Sequence, residues 1–234
     1  MAVMTRVRGR IRRLRRWLGG RPPVGTVRFG SFRRTEPIGR DWGHSRGMPV
    51  DRVYIDRFMS EHRADIRGRV LEVQYPVYTT RFGTGVTRSE VLDIRDDNPA
   101  ATIVADLRSA DGVRGDTFDC VVLTQTLHLI HEHDRALREV HRMLKPGGVL
   151  LATVPGISPV VDPTAEWCYT PRSVRALFGR VFGSDRLDVV AYGNVLVATA
   201  FLYQLASREL RAADYAAQDS AYPLVIAVRA VKTP

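Results

Sequence analysis

The stretch from Phe118 to Gly156 reads FDCVVLTQTLHLIHEHDRALREVHRMLKPGGVLLATVPG. It begins with a short apolar run and continues through a loop that carries His128, His131 and His133. A helical pattern, a Lys-Pro-Gly-Gly turn and a second apolar run follow. A strand, a helix and a second strand in this order predict a β-α-β unit with parallel strands and a right-handed crossover.

The same alternation of apolar runs and helical patterns extends over the chain from Arg69 onward. The predicted strands are 70–73, 91–94, 102–105, 120–123, 149–154, 187–191 and 224–231, and the predicted helices include 135–143, 171–178 and 194–210. This pattern is typical of an α/β protein with a doubly wound, Rossmann-like, mostly parallel sheet. In such sheets, ligands bind at the carboxyl ends of the strands, near the topological switch point.

Two blocks of the sequence resemble class I methyltransferases that use S-adenosylmethionine. In that family, a strand and a histidine-containing loop precede a helix that ends in LKPGG, as residues 118–156 do. The block RGMPVDRVYI at 46–55 is similar to the RGxPxDRxYI block of a bacterial subgroup found among sugar and natural-product genes. The resemblance covers residues 27–232, and it implies a seven-stranded sheet whose last strand is antiparallel.

Residues 1–40 differ from the rest of the chain more in charge than in hydropathy. The formal net charge is +10, yet residues 1–40 hold twelve arginines against one acid, and the remainder carries a net charge of −1. A near-neutral body excludes a nucleic-acid-binding domain and suits a small-molecule enzyme. We therefore expect a basic amphipathic helix and linker over 1–40, a helical cap over the pocket at 41–68, and the methyltransferase domain at 69–234.

The first twenty residues place apolar side chains at helical spacing among seven arginines. The apolar positions are Met4, Val7, Ile11, Leu14 and Leu18, with Trp17 beside them. An anionic membrane surface at the inner face of the cell membrane is one expected partner. The alternatives are a helix packed on the domain, a helix packed on a second copy in a homodimer, a solvated tail, and contact with nucleic acid.

Acidic residues stand at the carboxyl ends of three consecutive predicted strands, where a doubly wound sheet binds its ligand. The resemblance implies that Asp93 accepts the ribose hydroxyls of S-adenosylmethionine, with Glu90 as the fallback, and that Asp106 and Leu107 contact the adenine. Glu72 would orient the first loop or the ammonium group of the cofactor. The resemblance extends the predicted cofactor site to Gln74, Thr124 and Gln125.

The first loop departs from the family pattern, because Gln74 stands where the subgroup keeps a glycine. A β-carbon there could crowd the cofactor, since glycine lets the backbone approach a ligand closely. Two interpretations follow. Either the Gln74 side chain replaces a backbone contact, or cofactor binding is weakened and the fold performs other chemistry or serves as a binding subunit.

The predicted chemistry is methyl transfer to a small molecule, at oxygen, with His128 as the base for the acceptor proton. The predicted acceptor-binding residues are Trp42, Arg46, Asp51, Arg52, Tyr54, Trp167 and Tyr169. A base that removes this proton works best with a pKa near neutrality, and we expect such a pKa for His128. The His-x-x-His-x-His spacing also fits a metal, but no carboxylate or cysteine stands at a convincing distance, so we predict no metal site.

Composition excludes several other classes. No apolar run reaches the ~18 residues of a membrane span, and the N-terminus lacks a secretory apolar stretch. The two cysteines, Cys120 and Cys168, lie far apart, which predicts neither a disulfide framework nor a thiolate zinc site. The sequence therefore predicts a cytoplasmic bacterial enzyme of natural-product biosynthesis, with the acceptor left open among sugars, nucleosides and other metabolites.

Overall fold

The computed structural model describes residues 22–233 of the chain. The chain divides into two units, Met1–Glu36 and Pro37–Pro234, and the sheet lies in the second. The predicted amphipathic helix of residues 1–20 lies outside the described residues. Over residues 22–233, the structure contains no helix that is both long enough and apolar enough to cross a membrane.

A single sheet of seven strands organises the second unit. The strands are β1 (Gly68–Val73), β2 (Val86–Asp93), β3 (Ile103–Val104), β4 (Phe118–Thr124), β5 (Leu144–Pro155), β6 (Leu187–Tyr192) and β7 (Val225–Val231). Their order is β3-β2-β1-β4-β5-β7-β6. β1 to β5 pair in parallel, and β7 runs antiparallel to both β5 and β6. The α/β fold with a mostly parallel sheet and an antiparallel last strand is confirmed.

Helices cover both faces of the sheet. Within the described residues they are α1 (Arg52–Glu61), α2 (Val77–Phe82), α3 (His133–Met143), α4 (Pro171–Phe182), α5 (Val195–Leu202) and α6 (Ala212–Ala216). The central strands alternate their side chains, so Val121 and Leu123 pack in one buried cluster while Cys120 and Val122 pack in the other. The first cluster includes residues of α3 and α4, and the second includes residues of α1, α2 and α5. Period-two burial on both faces explains why these strands are continuously apolar.

The topological switch point lies between β1 and β4. After β1 the chain moves outward through β2 and β3, and it then returns to place β4 on the other side of β1. The loops that leave the carboxyl ends of β1 and β4 therefore diverge to opposite sides. A crevice opens between two such loops, and the rule for doubly wound sheets places a ligand there.

The predicted helix over 194–210 is wrong in its second half. α5 ends at Leu202, and Gln204 adopts the left-handed conformation with φ 60°. A left-handed residue just after a helix turns the chain away from the helix axis, so the pattern of apolar residues continues without a helix. The predicted strand 91–94 is also too short, because β2 begins at Val86.

Candidate functional site

Two adjoining cavities lie at the carboxyl ends of β1 and β4. The inner cavity, of about 230 Å³, is lined by Trp42, His44, Pro49, Asp51, Arg52, Gln74, Gln125, His128, Leu129, Pro155, Ile157, Ser158, Asp162, Phe201, Leu224 and Val225. The outer cavity, of about 580 Å³, is lined by His44, Gly47, Met48, Pro49, Arg52, Asp56, Glu72, Val73, Gln74, Tyr75, Val77, Tyr78, Arg81, Thr124 and Gln125. Five residues line both cavities, so the two form one continuous crevice at the switch point.

The segment from Trp42 to Arg52 forms one wall of both cavities. Its backbone is attached to the loop that follows α5: Met48 O accepts a hydrogen bond of 2.7 Å from Ser207 N–H. Pro49 and Ala206 form an isolated antiparallel bridge beside that bond. The segment therefore sits over the crevice in a fixed position. We name residues 42–52 the cap segment.

Left-handed backbone concentrates at this crevice. The described non-glycine residues with positive φ are Trp42, Gln74, Asp116, Gln125 and Gln204. The first, second and fourth line the inner cavity. Each such residue costs roughly 1–3 kcal/mol of strain, and strain of this kind is retained at ligand-binding sites. The clustering marks the crevice as the functional site on grounds independent of its volume.

Gln74 occupies a glycine conformation, with φ 71° directly after β1. Its N–H donates to Leu92 O at 2.9 Å, which extends the β1–β2 pairing by one residue. Its carbonyl accepts a 2.7 Å hydrogen bond from Asn98 Nδ2. The backbone turn that the family makes with glycine is therefore present here, and the added side chain lines both cavities.

Asp93 ends β2 as the sequence predicts, and Asn98 connects it to the turn at Gln74. The Asn98 amide nitrogen, which is bonded to the Gln74 carbonyl, also donates to Asp93 Oδ2 at 2.6 Å. Arg95 N–H donates to Asp93 Oδ1 at 3.0 Å. A carboxylate offers about four acceptor positions, so two remain for further donors such as hydroxyls. Next to it, Ile94 is 65% exposed, which leaves an apolar surface at the strand end.

Glu72 is hydrogen-bonded to the segment that follows β1. Its two carboxylate oxygens accept the backbone N–H groups of Tyr78 and Thr79 at 2.9 and 2.8 Å, at the start of α2. Burial raises the pKa of Glu72, and these two amides oppose the shift. The side chain therefore orients the first loop, which is one of its two predicted roles, and it also lines the outer cavity.

Four predicted cofactor residues lie outside both cavity linings: Asp93, Asp106, Leu107 and Glu90. Asp106 is paired with Arg108, whose Nη2 lies 2.6 Å from Asp106 Oδ2, and this arginine lowers the pKa of Asp106. Leu107 is 5% exposed and packs in the hydrophobic core. Glu90 lies within β2 and forms an ion pair with Arg69 on the neighbouring strand. Thr124 and Gln125, in contrast, line the crevice as predicted.

His128 lies in the inner cavity, on the 3-10 helix Leu127–Leu129 that follows β4. Its Nδ1 atom is buried and has no hydrogen-bond partner among the described residues. Burial lowers the pKa of His128 to about 4, and Asp162 opposes the shift. The expected near-neutral pKa is not found. The ring is therefore neutral at pH 7 and keeps one nitrogen as a hydrogen-bond acceptor.

Asp51 and Arg52 bring opposite charges to the inner cavity. Asp51 is 7% exposed, and its Oδ1 atom has no hydrogen-bond partner within the described part of the chain. Burial raises the pKa of Asp51, and the nearby Arg52 opposes the shift. Arg52 Nε lies 3.9 Å from Asp51 Oδ2, and its Nη1 donates to Tyr78 Oη at 3.2 Å. A buried acceptor without a donor is a feature that a bound ligand would satisfy.

Four predicted acceptor residues are used elsewhere in the fold. Arg46 forms two hydrogen bonds with Glu209, and Tyr54 is fully buried and stacks on Tyr192. Trp167 donates its Nε1–H to Ile130 O at 3.2 Å. Tyr169 is 5% exposed and packs in the core. The structure does not bring these side chains into the crevice, whereas it does bring Trp42, Asp51 and Arg52 there.

The sequence reasoning missed several residues that shape the site. Phe201 and Leu224 line the inner cavity from α5 and from the start of β7. Both lie far along the chain from β1, so no local pattern could place them. Asn98 did carry a signal, because Asn-Pro marks a turn and this turn follows the predicted acid. Within the described residues, no group of three or more His, Cys, Asp or Glu side chains could hold a metal ion.

Comparison with known proteins agrees with this geometry. A family model described as a methyltransferase domain matches residues 80–152, which run from α2 into β5. A ubiquinone/menaquinone biosynthesis C-methyltransferase from Haemophilus ducreyi is 42% identical over 50 residues, which are 21% of this chain and 19% of that enzyme. A demethylmenaquinone methyltransferase from Lactiplantibacillus plantarum is 37% identical over 71 residues, which are 30% and 29% of the two chains. The aligned stretches thus span less than a third of these relatives.

Solved structures share the fold at low sequence identity. A methyltransferase from Thermotoga maritima, described as a possible histamine N-methyltransferase, aligns with a TM-score of 0.55 and 14% identity over 81% of this chain and 95% of its own. The N-methyltransferase NodS from Bradyrhizobium japonicum, solved with S-adenosyl-L-homocysteine, aligns at 0.52 and 12% over 85% and 95%. The chain is therefore similar to methyltransferases over residues 80–152, and it shares the fold of these solved methyltransferases.

The described residues fit the cofactor that this family implies. Asp93 keeps free acceptor positions at the end of β2, where a ribose would lie, and exposed Ile94 beside it offers an apolar face. The outer cavity adjoins the left-handed turn at Gln74, where the family binds the methionine portion of its cofactor. The Gln74 side chain lines the outer cavity at this turn but does not fill it, since a cavity of about 580 Å³ remains.

Proposed function

We propose that the chain is a methyltransferase that moves a methyl group from S-adenosylmethionine to an oxygen of a small molecule. The observation that supports this most strongly is the continuous crevice at the switch point, whose outer half adjoins Gln74 and whose inner half holds buried His128. In this proposal the cofactor lies between the ends of the strands and the acceptor. The acceptor class that we propose is a sugar, a nucleoside or a related natural product.

The residues of the chain would hold the reactants in position and exclude water from them. When bound, S-adenosylmethionine supplies an electrophilic methyl group on a sulfonium. Glu72, Gln74 and Thr124 would hold the cofactor in the outer cavity, and Asp93 would accept its ribose hydroxyls. Displacement at carbon is accelerated chiefly by holding the reactants in line and by excluding water. The cap segment would contribute to the second task, because it forms one wall of the inner cavity.

In this proposal the acceptor binds in the inner cavity. Asp51 Oδ1 would accept a hydrogen bond from a hydroxyl of the acceptor, which satisfies a buried atom that has no other donor in the described structure. A neutral His128 would take the proton of the reacting hydroxyl on its free ring nitrogen. Its lowered pKa makes it a weak base, so the methyl transfer and the proton transfer would occur together.

Calorimetric titration with S-adenosylhomocysteine tests the cofactor assignment. We expect the wild type to bind it and Asp93→Asn to lose roughly tenfold or more in affinity, which corresponds to about 1.4 kcal/mol. Asn keeps the size of the side chain while removing its charge. Glu90→Gln is the matched control, because that carboxylate of the same strand is paired with Arg69 and Arg88, and it should bind like the wild type. A wild type that binds neither S-adenosylmethionine nor this product contradicts the proposal.

A second candidate function is supported by the Gln74 side chain and by the Arg108 pair on Asp106. Here the methyltransferase fold would be retained for other biosynthetic chemistry or as a binding subunit. Replacing Gln74 with glycine distinguishes the two, because glycine keeps the left-handed turn and removes only the side chain. A sharp gain in cofactor affinity would favour the second candidate. Unchanged or weaker binding, with a wild type that already binds, would remove the reason for the second candidate.

A further inference from the structure

Gln204 makes a long-range contact with the cap segment that neither the sequence nor the family match assigns. It is 1% exposed, and its Oε1 atom accepts the backbone N–H of Trp42 at 2.7 Å. The two residues are 162 positions apart in the chain. Both hold left-handed backbone conformations, with φ 56° at Trp42 and φ 60° at Gln204. Two strained residues joined by a partly buried hydrogen bond indicate a position that the fold retains for a purpose.

The surrounding backbone leaves little freedom at this contact. A β-carbon on Gly43 would lie 2.6 Å from Leu205 O, so the cap segment passes as close to the loop after α5 as glycine allows. Phe201 lies three residues before Gln204, and it lines the inner cavity together with Trp42. The contact therefore links the end of α5 to the wall of the acceptor site.

We propose that Gln204 is a positioning residue that holds Trp42 in the wall of the inner cavity and thereby sets the shape of the acceptor site. Trp42 has a left-handed backbone conformation that non-glycine residues rarely adopt. The Gln204 side chain offsets the strain of this conformation by accepting the Trp42 N–H. This inference rests on the proposed function only where it calls the inner cavity an acceptor site. The position of Trp42 can be measured without cofactor or acceptor.

Replacing Gln204 with glycine separates the side chain from the backbone. Glycine favours the left-handed conformation that this position requires just after a helix, so Gln204→Gly should fold. It removes the acceptor for Trp42 N–H and nothing from the backbone. Gln204→Asn shortens the side chain by one methylene and should also lose the contact. Gln204→Glu keeps an acceptor oxygen at the original length and should restore it.

Acrylamide quenching of Trp42 fluorescence gives the readout, in a full-length background in which Trp17 and Trp167 are replaced by phenylalanine. We expect the quenching constant to rise severalfold in Gln204→Gly and Gln204→Asn and to stay near the starting value in Gln204→Glu. Asp116→Gly is the control for a left-handed residue changed to glycine, since Asp116 precedes the amino end of β4 and the crevice lies at its carboxyl end. It should leave Trp42 unchanged.

Binding of S-adenosylhomocysteine distinguishes this proposal from the proposed function. The Trp42 wall belongs to the inner cavity, so Gln204→Gly should bind this product as the wild type does. Equal quenching in Gln204→Gly and in the starting protein overturns the positioning role, as does increased quenching in Gln204→Glu. A chain that binds no S-adenosylhomocysteine would overturn the proposed function and leave the quenching result standing.

Discussion

Three glutamines, Gln74, Gln125 and Gln204, hold left-handed backbone around one crevice. Gln74 and Gln125 each follow a strand of the switch point, and each continues the strand pairing by one hydrogen bond before the chain turns. A glycine would make these turns at lower strain but would offer no side-chain amide. Gln74 and Gln125 therefore combine a tight strand-end turn with a polar side chain that lines the crevice, which is a physical reason for their strain.

The low pKa of His128 leads to a prediction about pH. A base acts in its deprotonated form, and burial lowers the pKa of His128 to about 4, so it is already deprotonated at pH 5. The dependence of kcat/KM on pH should therefore show no His128 ionisation between pH 5 and 8. An NMR titration of the ring protons of His128 provides the direct measurement. A midpoint near 6.5, the value of an exposed histidine, would contradict the buried position.

At the scale of elements, the cap segment and the loop after α5 are also joined by charge. Arg46 donates two hydrogen bonds to Glu209, at 2.8 and 2.6 Å. Glu209 also accepts the N–H of Ala206 at 2.9 Å, so the same carboxylate orders its own loop. The arginine is the main cause that lowers the pKa of Glu209 to about 2.

This ion pair predicts an acid-dependent loss of stability. Glu209 has a lowered pKa in the folded state, so its contribution is present above the unfolded pKa of about 4.3 and is lost as the pH falls toward 2. Glu209→Gln should lower Tm at pH 7 by no more than a few degrees, because the pair is partly exposed. The difference from the wild type should vanish near pH 2, as thermal unfolding by circular dichroism can measure.

Arg46→Gln is the matched variant, because it removes the same pair from the other side. It should lower Tm at pH 7 and lose this effect in acid, like Glu209→Gln. A difference from the wild type that persists at pH 2 would show that the loop depends on packing rather than on charge.

The elements that sequence reasoning predicted well are those with a local cause. The strand-end position of Asp93 and the loop position of His128 follow from hydrophobic periodicity, and both are observed. The end of α5 was not predictable, because the apolar pattern continues past Leu202 while a non-glycine residue, Gln204, takes the left-handed conformation. Tyr54 was misplaced for a related reason. A polar-looking cluster at 46–54 gave no sign that this ring would stack on Tyr192 in the core.

At the scale of the whole molecule, charge and chemistry are separated along the chain. The crevice and the sheet lie in the unit Pro37–Pro234, while the excess of arginine lies in residues 1–40. An enzyme body of near-zero net charge does not need eleven extra positive charges to bind a small acceptor. We therefore assign the basic segment to a separate interaction and propose an anionic membrane surface as its partner.

Deleting residues 1–20 tests this assignment. If seven arginines meet anionic headgroups at roughly 1 kcal/mol each, the full-length chain should bind vesicles that contain phosphatidylglycerol and ignore vesicles of phosphatidylcholine. Binding should weaken as salt rises, because exposed charges are screened over ~10 Å at 0.1 M salt. The deleted chain should lose vesicle binding but keep its Tm and its affinity for S-adenosylhomocysteine. Replacing Leu14 and Trp17 with serine keeps every arginine, so partial loss in that variant would show that the apolar stripe inserts. If instead the deletion lowers Tm by several degrees while the full-length chain ignores anionic vesicles at low salt, the segment stabilises the fold and the membrane partner is wrong.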